Sequence, residues 1–277
     1  MPEGPEIQRA CDELAGVLQN QKVKQIAFAF ADLKGYQSRF KNKSITSVTA
    51  KGKAILIGLS NGYTIYSHNQ LYGRWMVQPV GQYPETNRQL RMEIHVKDHS
   101  ALLYSASDIE VLNKKELKNH SYLNRLGLEL LSPETTEQQV LERLSEKRFA
   151  KRCLMGLLQD QSVLAGMGNY LCCEVLHIAK IHPENRIADL NRRELKRLAK
   201  QCLKLTRQSY QTAGITNLLS RANKFKKQGQ AFEDYRFYIY RRAGQDCYQC
   251  GDKIVKASFC GRMGYICPAC QQKKNNE

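Results

Sequence analysis

The chain has 277 residues and carries 43 Lys and Arg against 26 Asp and Glu, which gives a formal net charge of +17. With 42% hydrophobic residues it can form a real core, so an intrinsically disordered chain is excluded. No apolar run approaches the roughly 20 residues of a membrane helix, and no secretory signal pattern opens the sequence. We therefore expect an intracellular protein whose charge attracts polyanions, nucleic acid first of all. The alternative is charge that serves only solubility.

The first 120 or so residues predict one helix followed by short strands. The helix begins near Pro5, and its apolar residues recur at helical spacing: Ile7, Cys11, Leu14 and Leu18. Asn61-Gly62, between two apolar runs, predicts a tight hairpin in which both residues have positive φ. Alternation from Leu90 to Val96 predicts a half-buried strand paired with residues 102–104. These patterns favour an antiparallel β-sandwich with a flanking helix.

Beyond residue 120 the pattern becomes helical. Helices are predicted to begin near Ser132-Pro133-Glu134 and to cover residues 149–158 and 170–178, with a break at 165–168 that resembles a helix–turn–helix. Asn191 and Glu194 predict a capping box before a further helix. Residues 221–277 are basic, with 12 Lys and Arg against five Asp and Glu. We expect an α+β protein with domains at 1–125, 126–220 and 221–277.

The cysteines at the C-terminal end predict a metal site. Their order is Cys247-x2-Cys250-x16-Cys267-x2-Cys270. Each pair can turn two thiolates toward one ion, so two pairs at the ends of a hairpin predict one structural Zn²⁺. A reactive dithiol is the alternative. Cys260 fits neither pair and is interpreted as a spare thiol. The remaining five are interpreted as packing residues: Cys11, Cys153, Cys172, Cys173 and Cys202.

The N-terminal residues could carry chemistry of their own. Removal of Met1 would leave Pro2 with a free secondary amine, and an α-amine titrates near pH 8, so part of it is nucleophilic at pH 7. Attack on a sugar aldehyde carbon would give an iminium, which acts as an electron sink. The adjacent Glu3 could donate or accept protons. The alternative is that Pro2 and Pro5 merely begin a helix.

Four separated motifs occur along this chain in an order that is found in a known family. They are Pro2-Glu-Gly-Pro-Glu-Ile7, Lys51-Gly-Lys53, Gly168-Asn-Tyr170 and the four-cysteine finger. In this order the chain resembles the formamidopyrimidine-DNA glycosylase/endonuclease VIII family, end to end. Three further stretches make it look like the bacterial endonuclease VIII branch: Tyr36-Gln-Ser38, Tyr66-Ser-His-Asn-Gln-Leu-Tyr-Gly73 and Leu103-Tyr-Ser-Ala-Ser-Asp-Ile-Glu110.

The resemblance implies catalytic roles in the first domain, an N-terminal catalytic sandwich. Pro2 would attack the deoxyribose C1′, Glu3 would protonate the ring oxygen, and Glu6 would help to order the site. Lys53 would contact the phosphate at the lesion and donate a proton. Without the resemblance, Lys53 is better interpreted as a surface lysine near a hairpin.

The resemblance also implies DNA contacts in the other two domains, a helix–two-turn–helix domain and a basic segment with the zinc finger. Asn169 would bind the DNA backbone, with a helix N-cap as the alternative. Arg262 would grip a phosphate at the lesion and support catalysis, with a solvated surface charge as the alternative.

An enzyme of this kind must flip the damaged base out of the duplex, which costs a few kcal/mol of stacking and pairing. Gln70-Leu71-Tyr72 follows a predicted strand and could fill the vacated space as a wedge. Burial of these side chains in the sandwich core is the alternative.

These inferences predict a bifunctional DNA glycosylase that removes oxidised pyrimidines and cuts abasic DNA as an AP lyase by β,δ-elimination through a Pro2 imine. We expect a monomer that binds damaged duplex DNA, with no redox or nucleotide cofactor, in the cytoplasm and at the nucleoid. An enzyme for oxidised purines is one alternative, but its wedge usually pairs Met with a separate Arg-Phe. A non-catalytic zinc-finger DNA-binding module is the other.

Overall fold

The structure is a computed structural model that describes residues 2–274. The chain divides into two compact units, with the boundary between Arg125 and Leu126. Among the described residues, no helix has the length and apolar character needed to cross a bilayer.

The described residues of the first unit form one long and three short α-helices and eight strands. In chain order they are α1 (Gly4–Leu18), β1 (Gln25–Phe28), α2 (Gln37–Phe40), β2 (Ile45–Lys51), β3 (Ala54–Leu59), β4 (Thr64–His68), β5 (Arg74–Pro79), β6 (Leu90–His95), β7 (His99–Tyr104), β8 (Asp108–Leu112), α3 (Lys114–Lys118) and α4 (Ser121–Asn124). The strands form two antiparallel sheets of four, in the orders β1-β6-β7-β5 and β2-β3-β4-β8. Side chains of both sheets and of α1 share one hydrophobic core, as the predicted sandwich requires.

Helix α1 is held at its start by a reciprocal contact within the first turn. The carboxylate of Glu6 accepts a hydrogen bond from the Glu3 N–H at 3.1 Å. The predicted apolar face is buried along the whole helix, at Ile7, Cys11, Leu14 and Leu18. The N-terminus of α1 is therefore fixed against the sandwich.

The β3–β4 hairpin differs from its prediction. Gly62 has a positive φ of 85°, but Asn61 does not. Four residues rather than two connect the strands, because the Leu59 N–H bonds to the Tyr63 carbonyl and the Gly62 N–H to the Leu59 carbonyl. The Asn61 amide instead donates to the Arg39 carbonyl at 3.1 Å. A longer loop needs only one left-handed residue.

The second unit is mainly helical and ends in a hairpin. Its elements are β9 (Leu128–Glu129), α5 (Glu137–Leu144), α6 (Leu154–Leu158), β10 (Leu164–Ala165), α7 (Asn169–Ile178), α8 (Arg192–Gln211), α9 (Leu219–Lys227), α10 (Phe232–Tyr235), β11 (Val255–Phe259) and β12 (Arg262–Ile266). One hydrophobic core extends from Leu130 through α7 and α8 to Phe259 and Ile266 in the hairpin.

Two predicted helix bounds in this unit were wrong. Helix α5 begins after Thr136, whose hydroxyl accepts from the Gln139 N–H, whereas residues 132–135 form a turn. The predicted helix over 149–158 is broken, and only α6 is α-helical. Its first N–H groups bond across the fold, from Leu154 to the Asn185 carbonyl and from Met155 to the Pro183 carbonyl, each at 2.9 Å. Tertiary partners therefore replace the helical ones. The capping box at Asn191 is confirmed.

A buried carboxylate joins α7 to the chain that follows α10. Glu174 is fully buried and accepts three backbone N–H bonds at 2.7–2.9 Å, from Tyr238, Ile239 and Tyr240. The Thr216 hydroxyl donates to it as well, at 2.6 Å. Four donors satisfy a charge that would otherwise be costly to bury.

Candidate active site

A cavity of about 590 Å³ lies in the first unit beside the N-terminus of α1. Pro2 and Glu6 line it from the chain start, and Leu71 and Tyr72 line it from the β4–β5 loop. Its lining carries both signs of charge, with three arginines and two glutamates: Arg9, Arg74, Arg88, Glu6 and Glu13. The structure thus brings the predicted nucleophile and two residues of the predicted wedge to one cavity.

Two more of the predicted catalytic side chains are buried. Glu3 is 2% exposed and Lys53 is 8% exposed, so Lys53 is not a surface lysine. The Lys-Gly-Lys motif forms the β2–β3 turn, in which Lys51 pairs with Ala54 and Gly52 has φ +58°. A two-residue turn with glycine first matches the right-handed twist of its strands. The Lys53 N–H also donates to the Tyr122 hydroxyl at 2.9 Å, which fixes the turn.

Residues 69–73, the wedge loop, form a tight turn that depends on glycine. The Gly73 N–H bonds to the Asn69 carbonyl at 2.7 Å. A Cβ on Gly73 would lie 2.6 Å from that same carbonyl oxygen, so no larger residue fits without moving the backbone. Gln70 adopts the left-handed region with φ +48°. The loop therefore has little conformational freedom.

Three neighbours hold the wedge loop from outside it. The Gln70 side-chain amide donates to Asp108 at 3.0 Å, and the Gln70 N–H donates to His68 Nδ1 at 3.0 Å. Arg88 donates to the Tyr72 carbonyl at 2.5 Å. Between these anchors Leu71 is 57% exposed and Tyr72 is 71% exposed. Neither side chain is buried in the sandwich core.

In the second unit the predicted DNA contacts lie at the start of α7 and in the hairpin. Gly168 is the residue that precedes α7, so Asn169 is the first helical residue and not the N-cap. Arg262 opens β12, and its guanidinium lies 3.4 Å from the Gln159 side-chain oxygen. Its guanidinium therefore lies near the C-terminal end of α6, where Gln159 follows the last helical residue.

The four predicted cysteines come together. Their sulfur atoms all lie within 4.8 Å of one another, with 3.9 Å between Cys247 and Cys270 and 3.3 Å between Cys250 and Cys267. Tetrahedral zinc with Zn–S bonds of about 2.3 Å places its sulfurs about 3.8 Å apart. The cluster can therefore hold one metal ion. Buried Gln271 accepts from the Cys267 N–H and lies 3.2 Å from His177 on α7, which links the cluster to the core.

The interpretation of Cys260 as a spare thiol was wrong. Cys260 forms a disulfide with Cys153, which therefore is not a simple packing residue either. The pattern gave no signal because the two residues are 107 positions apart. Cys11, Cys172, Cys173 and Cys202 are buried and take no part in a disulfide.

Comparison with known proteins decides the family. Residues 1–109 match the formamidopyrimidine-DNA glycosylase N-terminal domain, and residues 126–220 match the H2TH domain of the same enzyme. Endonuclease 8 of Escherichia coli O17:K52:H18 is 42% identical over 98% of this chain and all of its own length. Endonuclease 8 of Shigella sonnei has the same identity and coverage.

This chain belongs to the formamidopyrimidine-DNA glycosylase family. The resemblance inferred from the four motifs is confirmed, and the chain is a DNA glycosylase of base-excision repair.

Solved structures confirm the fold. Wild-type Lactococcus lactis Fpg (MutM), in complex with DNA containing an oxidised pyrimidine, matches 98% of this chain and 100% of its own with a TM-score of 0.80 at 21% identity. The same protein with DNA containing an AP site gives a TM-score of 0.79 at 21% identity. MutM in complex with carbocyclic 8-oxo-G DNA gives 0.80 at 21%. The α+β fold with its helical domain and four-cysteine hairpin is thus the glycosylase fold.

Sequence reasoning missed the residues that hold the wedge loop. Asp108, on β8, lies within the stretch Leu103–Glu110 that contributes to the family resemblance. That stretch is the sequence signal that could have pointed to a partner for the wedge loop. Arg88 follows Thr86-Asn87 in an irregular connection and has no periodic neighbour. No local pattern marks a side chain that acts on a loop 16 residues away.

Acid should loosen the wedge loop. Burial lowers the pKa of His68 from 6.5, and the nearby Lys53 cation adds to this effect, whereas the Asp108 carboxylate partly opposes it. A neutral ring accepts the Gln70 N–H, so this contact stabilises the fold above pH 6.5 and is lost as the pH falls through the lower folded-state pKa. NMR titration of the His68 ring and the Leu71 methyl groups should show a common midpoint below 6.5.

His68→Asn is the matched control, since an amide oxygen can accept the same N–H but does not titrate. Its Leu71 methyl signals should show no such step. A His68 midpoint at or above 6.5 would contradict the assigned contact.

Proposed function

We propose that this chain is a bifunctional glycosylase and AP lyase that removes oxidised pyrimidines from duplex DNA and uses the Pro2 amine as its nucleophile. The observation that carries the proposal is the shared cavity. Pro2 lies at one wall, and the exposed Leu71 and Tyr72 lie at another. A reacting sugar and a device that replaces its base need this proximity.

In the proposed reaction, the unprotonated Pro2 amine, exposed by removal of Met1, attacks C1′ of the damaged nucleotide. The C1′–N bond breaks, and the base leaves with its electron pair and takes up a proton. Glu3, as the carboxylic acid, protonates the ring oxygen as the C1′–O bond opens, which leaves an iminium between Pro2 and C1′. Loss of a C2′ proton then expels the 3′ phosphate, and a second elimination expels the 5′ phosphate.

The positions of Glu3 and Lys53 support these roles. A carboxyl group that water barely reaches is better suited to hold a proton than an exposed one. Lys53 carries its ammonium from a turn fixed by the Tyr122 hydroxyl, which favours contact with a phosphate and proton donation there. Glu6 holds the Glu3 N–H and so orders the first turn.

The wedge is the basis for choosing pyrimidine lesions. Gln70, Leu71 and Tyr72 are held as one rigid tip, and the Endonuclease 8 similarity covers the whole chain. The alternative is that the enzyme removes oxidised purines. Its support is the solved MutM complex with 8-oxo-G DNA, but that protein is only 21% identical to this one. A non-catalytic binding module would not require Pro2 together with the buried ionisable side chains of Glu3 and Lys53.

DNA binding by the second unit is proposed from charge and helix geometry. Asn169 lies at the N-terminus of α7, where the positive end of the helix dipole favours phosphate. Arg262 offers a guanidinium from the hairpin, and α8 adds basic residues along its length: Arg192, Arg193, Lys196, Lys200 and Lys204. The binding should be strongly salt-dependent. We propose that the protein acts as a monomer, in the cytoplasm at the nucleoid.

We also propose that the ion held by the four cysteines is zinc. Four thiolates with tetrahedral spacing are typical of a closed structural site. No catalytic step in the proposed reaction passes through it.

Borohydride trapping on abasic DNA tests the proposed function. The reduced adduct should attach to Pro2 by mass spectrometry, whereas a binding module leaves no adduct. Glu3→Gln should lose base excision but keep appreciable cleavage of a pre-formed abasic site, because only the first needs the ring-opening acid. The exposed Glu85→Gln should keep both. Equal loss of both activities in Glu3→Gln would refute the division of roles.

Leu71→Ala should slow excision of a damaged base more than cleavage at an existing abasic site. The truncation removes apolar surface that replaces the extruded base, a loss of about 1–3 kcal/mol. Single-turnover rates on the two substrates measure the difference. Val80→Ala, another exposed apolar residue of the first unit, should leave the ratio unchanged. A lowered melting temperature with an unchanged ratio would assign Leu71 a packing role instead.

Cys250→Ser should release zinc and weaken DNA binding while the first unit stays folded, because three thiolates hold zinc poorly. Metal analysis of wild-type protein, prepared without chelators, should give one zinc per chain. Lys253→Ala, an exposed neighbour, should retain the metal. Wild-type protein with almost no zinc would overturn the assignment.

A further inference from the structure

The turn of the hairpin is joined covalently to another part of the second unit. Phe259 pairs with Arg262, so Cys260 and Gly261 are the two turn residues, and both are left-handed with φ +49° and +77°. Such turns favour Asn or Gly at these positions. Cysteine is an unusual choice there, and its disulfide partner Cys153 is the residue that precedes α6.

The same helix carries the neighbours of Arg262. A Cβ on Gly156 would lie 4.0 Å from Arg262 Nε, and the Gln159 oxygen lies 3.4 Å from its guanidinium. A Cβ on Gly264, in β12, would lie only 2.8 Å from Met155. The hairpin therefore packs closely on α6, and the disulfide fixes the turn two residues before the arginine.

The two residues of this disulfide are less buried than the other cysteines outside the metal cluster. Cys260 is exposed and Cys153 half-buried. Cys11, Cys172, Cys173 and Cys202 are buried, and burial raises the pKa of the Cys11 thiol to about 12. Thiolates bound to a metal are not free to exchange. A thiol reagent in solution would thus meet the Cys153–Cys260 pair first.

We propose that Cys153 and Cys260 form a thiol–disulfide exchange site that sets how firmly Arg262 is held against α6, and thereby the affinity for DNA. The co-reactant is a small dithiol. One of its thiolates attacks Cys260 Sγ, the S–S bond breaks, and Cys153 leaves as a thiolate and takes a proton. The second thiolate then closes the reagent's own disulfide and releases Cys260, which is protonated in turn. Two electrons and two protons pass to the protein.

The expected effect on DNA affinity depends on when the hairpin turn and Arg262 become ordered. With the disulfide closed, the turn and the start of β12 are fixed before DNA arrives. With it open, the left-handed Cys260 is held by the hairpin alone, and binding must order the turn and the arginine. Ordering one long side chain corresponds to about a 3- to 10-fold loss of affinity. This inference rests on the proposed DNA contact of Arg262.

The test measures binding of the full-length zinc protein to a duplex with an uncleavable abasic-site analogue. The protein is equilibrated with dithiothreitol and its cyclic disulfide at different ratios. Peptide mapping of alkylated samples reports the state of the pair, and zinc per chain is measured in each sample. The closed form should bind about 3- to 10-fold more tightly than the open form at equal zinc content. The double variant Cys153→Ser/Cys260→Ser should bind like the open form and ignore the reagent.

Arg262→Ala separates the two possible failures. If the inference holds, this variant binds more weakly than wild type and has the same affinity in both redox states. If it binds more weakly while the wild-type affinities are equal, the exchange site is refuted and the DNA role of Arg262 stands. If it binds like wild type, the proposed DNA role fails and the inference with it. Free thiols at both positions under the most oxidising ratio would also refute the exchange site.

Discussion

Burial of one face of α1 is the constraint on which the catalytic unit depends. Ile7, Cys11, Leu14 and Leu18 are 0–2% exposed, and they fix the axis of the helix on the sandwich. Each buried aliphatic side chain contributes about 1.5–3 kcal/mol, so the helix cannot shift without a large loss. Chain termini usually fray, but here the packing of α1 and the hydrogen bond from the Glu3 N–H to the Glu6 carboxylate hold the first turn in place. The nucleophile that we propose at Pro2 needs this kind of support.

The wedge loop differs from α1 because it is exposed, so a different kind of interaction must hold its shape. Its apolar tip faces away from the core, so packing cannot order it. Hydrogen bonds to three separate segments of the chain order the loop instead, and their partners are His68, Asp108 and Arg88. Two of these partners lie on strands β4 and β8, which pair directly at His68 and Asp108. The sheet register therefore determines where the loop is anchored, and a slipped register would lose both the pairing and the anchor.

The sequence was informative where structure is local. Periodicity predicted α1, the capping box predicted the start of α8, and cysteine spacing predicted the cluster, because each depends on neighbours within a few residues. It failed where distant groups compete for the backbone. The first N–H groups of α6 bond to residues beyond 180, and Asn61 bonds to Arg39, so neither follows its local pattern. Arg88, Asp108 and the Cys153–Cys260 disulfide are likewise contacts of tertiary structure. The catalytic roles that we propose for Pro2, Glu3 and Lys53 come from the family resemblance.

The hairpin shows why a small basic element needs several attachments. Half of the residues of β11 and β12 are exposed, and Phe259, Gly264 and Ile266 are the three buried ones. Such a hairpin cannot form its own core, and its positive charge opposes close packing with a basic unit. The four-cysteine cluster at one end brings the strand ends together, and the disulfide at the other end joins the turn to α6. Burial of Phe259 and Ile266 in the common core adds a third attachment between them. Arg262 lies at the turn end, so opening the disulfide would affect it while the cysteine cluster still held the other end of the strands.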